Sequence, residues 1–120
     1  MNNNNLRVYY AHSKKTYDSA KEKDELAFIK SKYPKTICPN TDLGELNSMD
    51  SYLKIVAWSD LVIISEYFGH IGKGVYKEIN EASKNNIPIL ILRERLFYKI
   101  KGVVVVDKLD AQIKYAKVII

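Results

Sequence analysis

Short, wholly apolar runs alternate with amphipathic stretches, and this pattern restricts the chain more than any other feature. Leu61–Ile64, Ile87–Leu92 and Val103–Val106 contain no polar side chain. A strand that is apolar on both faces needs cover on both, which means a parallel sheet between layers of helix. The intervening segments supply the cover. Thr16–Lys32 has Ala20, Leu26, Ala27 and Ile29 at helical spacing, continued by Tyr33, and Pro34 ends it. Ser51–Trp58 has Tyr52, Ile55 and Val56; Val75–Asn85 has Val75, Ile79 and Ala82. Leu6–Ala11 and Thr36–Cys38 are two further strands. Leu109–Ala116 reads as a closing helix, with Val118–Ile120 unassigned. The pattern predicts an α/β fold: a three-layer, Rossmann-like (flavodoxin-like) domain with a mostly parallel five-stranded sheet. It occupies residues 6–120, behind a disordered start at residues 1–5 that holds four asparagines.

Length fits this reading, since 120 residues suffice for one domain. Two further features bound the setting. The single cysteine, Cys38, has no partner for an internal disulfide, and no apolar run nears the roughly 18 residues of a membrane span. A cytoplasmic protein away from membranes is expected. The net charge of +5 raises the question of nucleic acid. Only Arg7, Arg93 and Arg95 among the cations are arginines, and the lysines are scattered. That argues against nucleic acid, because bidentate reading of bases and phosphates uses Arg. The two histidines and one cysteine match no metal-ligand spacing, so neither a metal nor another cofactor is expected.

In a doubly wound sheet, ligands bind beyond the carboxyl ends of the strands, where strand order reverses. The loops to search are Tyr10–Lys15, Pro39–Asp50 and Ser65–Gly74. The third is the richest. Gly69-His70-Ile71-Gly72-Lys73-Gly74 leaves a strand, turns and opens a helix. Amides at such a turn attract anions, and Lys73 adds a charge. It is neither a dinucleotide fingerprint nor a Walker loop. Glu78 follows in the first turn of the predicted helix. There it either complements the helix dipole or presents a carboxylate to the crevice, where it could attack a sugar carbon. His12 and His70 are candidate acids or phosphate donors, Ser13 and Ser65 candidate hydroxyl or phosphate contacts, and Tyr9 or Tyr10 a surface for stacking a base.

Three segments carry a family resemblance: Val8-Tyr9-Tyr10-Ala11-His12, Trp58-Ser59-Asp60-Leu61-Val62-Ile63 and Gly74-Val75-Tyr76-Lys77-Glu78-Ile79-Asn80-Glu81-Ala82. Together they resemble the nucleoside 2-deoxyribosyltransferase-like superfamily, which includes deoxynucleoside monophosphate N-glycosidases. The resemblance runs from Arg7 to Val106. It implies Glu78 as nucleophile and Gly72 and Gly74 as sugar or phosphate contacts beside Lys73. It also implies Tyr9, Ala11 and Ser13 as the base and phosphate pocket, and His12, just after the first strand, is expected to point into the same crevice. Counted back from Asp60, the family's aspartate position falls on Tyr52, so Asp50, two residues earlier, is the candidate acid. The implied ligand is a nucleoside or nucleotide, and the implied assembly a homodimer or larger even-numbered homo-oligomer. Similar glycine-turn-glutamate arrangements occur in nucleotide-sensing modules that bind without turnover.

Overall fold

The structure, a computed structural model, describes residues 3–43 and 48–100, together with the backbone of three strands over 102–107, 110–114 and 117–119. Its first four main-sheet strands are parallel: β1 (Val8–Ala11), β2 (Thr36–Ile37), β3 (Leu61–Ile64) and β5 (Ile89–Arg93), in the order β2-β1-β3-β5. Order reverses between β1 and β3, which makes their carboxyl ends the switch point. The three-layer Rossmann-like architecture is present.

Strand parity separates the two cores. Tyr9 and Ala11 of β1, Val62 and Ile64 of β3, and Ile89 and Ile91 of β5 face α3 (Met49–Trp58) and α4 (Lys73–Lys84). Val8 and Tyr10, Leu61 and Ile63, and Leu90 and Leu92 face α1 (Ala20–Lys32) through Ile29. A bidentate pair ties the sheet at its start: the Arg7 guanidinium holds Asp60 at 3.0 and 3.1 Å, and the Arg7 amide adds a bond of 2.8 Å.

Helix ends follow local chemistry. Ser19 caps α1 by accepting from the Glu22 amide at 3.1 Å, while Glu22 reaches back to the Asp18 amide at 3.1 Å. Asn86 closes α4 in the left-handed region, at φ 56°. There the Ile87 and Asn86 amides bond Ala82 and Ser83 carbonyls at 2.9 and 3.1 Å. α2 is a single turn, Pro39–Asp42.

Several expectations change. Asn3–Asn5, expected to be disordered, form one exposed 3-10 turn. Leu96–Lys99 is a strand, β6, antiparallel to β5, and extends the main sheet. Ile71–Gly72, expected as loop, is a short strand, β4. The expected closing helix is overturned: β7 (Gly102–Asp107) and β8 (Asp110–Lys114) pair antiparallel, β8 also pairs with β4, and β9 (Lys117–Ile119) joins the main sheet at β6. Asp107 pairs with Asp110, so inter-strand bonds win over a local helix. No helix among the described residues is long and apolar enough to cross a membrane.

Candidate functional site

Glu78 sits on the inner face of α4, only 6% exposed. The helix starts at Lys73, so Glu78 is in its second turn and not in its first as the sequence predicts. Complementing the helix dipole, an effect of the first turn, therefore does not explain it. Its partner is Tyr9 of β1, whose phenol donates to the Glu78 carboxyl. No salt bridge to Glu78 is present among the described residues. Burial pushes the Glu78 carboxyl up to about 7, and the Tyr9 hydroxyl works in the opposite direction. Tyr9 itself is driven far above the usual phenol range, first by burial and then by the Glu78 charge.

Two more phenols stand near. Tyr17, after the 3-10 turn Lys14–Thr16, is pushed up to about 12 by burial and by the charge of Glu78. Tyr52 of α3 lies close enough to interact electrostatically with Tyr9 and Tyr17. A buried carboxyl bonded to one phenol and within electrostatic reach of a second is a group poised to exchange a proton near neutrality.

The remaining sequence candidates scatter around this centre. Ala11 is fully buried on the Tyr9 face. Gly72 is the N-cap of α4, and Lys73 and Gly74 are exposed at its start. Gly74 lies against α3: a Cβ there would meet Met49 Cε at 3.7 Å. Asp50, next to Met49, is exposed in the first turn of α3. Ser13 caps the 3-10 turn and accepts from the Lys15 amide at 3.2 Å. His70 is half-buried with Nδ1 3.0 Å from the Phe68 carbonyl.

His12 and Ser65 are not beside Glu78. By strand parity they follow Tyr10 and Ile63 to the α1 face. His12 is stacked on Tyr10 and its Nε2 is 2.6 Å from Glu22 Oε2. Ser65 donates to Glu25 at 2.6 Å and accepts from Lys21 at 2.8 Å; Tyr10 also donates to Glu25, at 2.7 Å. Sequence reasoning missed Tyr17, Lys21, Glu22 and Glu25 as members of these clusters. In the sequence Glu22 stands out only by its capping-box spacing from Ser19, and the others carry no motif.

Compared with protein-family models, with curated proteins and with solved structures, the chain matches none of them.

Proposed function

We propose that the chain binds a nucleoside or nucleotide at the carboxyl ends of β1 and β3 and acts on its N-glycosidic bond through Glu78. One observation carries this reading: a buried carboxyl, free of a salt bridge to any described residue, held by the phenol of Tyr9 in a doubly wound fold. Ionised Glu78 attacks C1′ of the sugar, and the C1′–N bond breaks with its electron pair going to the base. Asp50, at the start of α3, gives the base a proton. Water then attacks C1′ of the glycosyl ester and returns a proton to Asp50, freeing Glu78 and the sugar. A second base in place of water gives transfer. Amides at Gly72 and Gly74, with Lys73, hold the 5′ end. Phe68, 83% exposed in the loop before α4, supports the even-numbered homo-oligomer, as a surface that a second copy covers.

A second reading is binding without turnover. The exposure of Asp50 favours it, with Tyr52 in the expected aspartate position. The two separate on incubation with deoxynucleosides, ribonucleosides and their monophosphates. Release of free base that disappears in Glu78→Gln supports catalysis. Release that survives that substitution removes Glu78 as nucleophile. No release, with a ligand-dependent rise in melting temperature, establishes the binding module.

A further inference from the structure

On the α1 face, three elements bring three different donor atoms together. His12 follows β1, Glu22 lies in the first turn of α1, and Cys38 follows β2. All three are buried, and their imidazole nitrogen, carboxylate oxygen and sulfur lie within 4.8 Å of one another. His12 Nδ1 is 3.0 Å from the Tyr10 carbonyl, which can only accept, so Nδ1 carries a hydrogen. A neutral ring then leaves Nε2 as a bare lone pair, 2.6 Å from an oxygen of Glu22. Two acceptors cannot face each other at that distance without a cation between them. In the bare protein that cation is a proton.

We propose that His12, Glu22 and Cys38 form a binding site for a borderline-soft divalent cation of the Zn²⁺ type. Imidazole, carboxylate and thiolate are together the ligand set such ions select, whereas Mg²⁺ and Ca²⁺ avoid sulfur. The Nδ1–H bond to the Tyr10 carbonyl fixes the tautomer that leaves Nε2 available, as is usual for metal-bound histidines. Tetrahedral geometry holds such donors about 3.3–3.7 Å apart. The His12–Glu22 pair opens by roughly 0.7 Å to admit the ion, a shift within reach of side-chain torsions. Binding displaces two protons to solvent: the one between His12 and Glu22, and the Cys38 thiol proton, which now goes to Asn40 Oδ1 at 3.3 Å. Burial holds that thiol above its ordinary range, so the metal must drive its ionisation. On the α2 side, Asn40 Oδ1 and Thr41 Oγ1 lie 3.3 and 3.5 Å from the Cys38 sulfur. The sequence hides this site because its members are distant in the chain; only the fold joins them. It lies on the face opposite Glu78, so it stands or falls independently of the glycosidic reading.

The test uses the full chain, stripped with chelator and titrated with Co²⁺. Cys38 is the single cysteine, so a thiolate-to-cobalt charge-transfer band can arise only from it. The expected result is a band that saturates at one equivalent and is erased by Zn²⁺. Zn²⁺ near a hundred times its dissociation constant should raise the melting temperature by roughly 5–10 °C. Mg²⁺ and Ca²⁺ should do neither. His12→Gln should weaken the band at least tenfold in Co²⁺ concentration, while His70→Gln leaves it intact. If His12→Gln fails to fold, Glu22→Gln takes its place, and the wild-type band stands without either variant. The site is refuted by the absence of a band at millimolar Co²⁺, by a band indifferent to both substitutions, or by equal thermal protection from Mg²⁺.

Discussion

At the scale of single residues, Glu78 has two consequences that share one cause. Burial raises its proton affinity, which makes it a proton-exchanging group near neutrality and also makes it a cost to the fold. Folded Glu78 keeps its proton up to about pH 7, while the unfolded chain releases it near 4.5. Between these values the native state holds the extra proton, so stability falls as pH rises through the window and is flat above it. Glu78→Gln removes the effect and keeps the shape. Its stability relative to wild type should therefore grow from pH 4.5 to 7 by about 3 kcal/mol, and then level off. Thermal melts at a series of pH values measure this, and parallel curves for the two proteins would refute it. Tyr9→Phe acts in the other direction. It removes the donor that lowers the Glu78 midpoint, so the upper end of the window should move above 7. Loss of the buried hydrogen bond should also cost roughly 1–2 kcal/mol, read from the urea midpoint. An unchanged window would show that the Tyr9 bond does not tune the carboxyl.

At the scale of elements, what was legible followed from how local its cause is. Leu61–Ile64 announces a covered strand because every side chain is apolar, and Ser19 and Glu22 announce a helix start because their bonds span one turn. The face reached by His12 was misplaced: it was expected in the Glu78 crevice with Tyr9, whereas parity along β1 sends Tyr10 and His12 one way and Tyr9 the other. The hairpin to β6 was not legible. Its two-residue connection, Glu94-Arg95, takes φ values of 50° and 61°, which Asn-Gly adopts readily and this pair does not. Nothing in the sequence signals a turn there, and Leu96-Phe97-Tyr98-Lys99 is only half-buried at its centre. The strain has a testable size. Replacing the pair by Glu94→Asn with Arg95→Gly should stabilise the protein by about 1 kcal/mol. The substitution gives up the Arg95–Asp24 ion pair at 2.9 Å, but both its side chains are largely exposed, so that loss is small. A lower urea midpoint for the double variant would mean that the ion pair outweighs the turn. The apolar run Val103–Val106 announced β7, but its partner β8 was hidden for a related reason. Residues 109–116 have a pattern compatible with helix, and only pairing with distant backbone decides otherwise.

At the scale of the whole molecule, the sheet divides the chemistry into two halves with β1 as the common wall. Glu78 and Tyr9 belong to the α3–α4 side, His12 and Glu22 to the α1 side, and Tyr17 is near both, its ring 5.1 Å from that of His12. Folding alone creates both halves, because no two of these five residues form a recognisable motif. What folding does not do is cover Phe68. A ring 83% exposed on a backbone at φ 50°, packed edge-on to Tyr67 at 4.5 Å, is held in place yet left in water. The proposed second copy accounts for this, and its weight can be set in advance. Burying one phenylalanine is worth about 1.5–3 kcal/mol, and a two-fold interface counts it twice. Phe68→Glu should therefore weaken self-association by at least about a hundredfold. Light scattering on the eluting peak is the measurement. Wild type should give an even multiple of the 13.8 kDa chain at micromolar concentration, and the variant a single chain with an unchanged circular dichroism spectrum. A wild-type protein that elutes at one chain mass leaves Phe68 as an ordinary exposed side chain and overturns the even-numbered assembly.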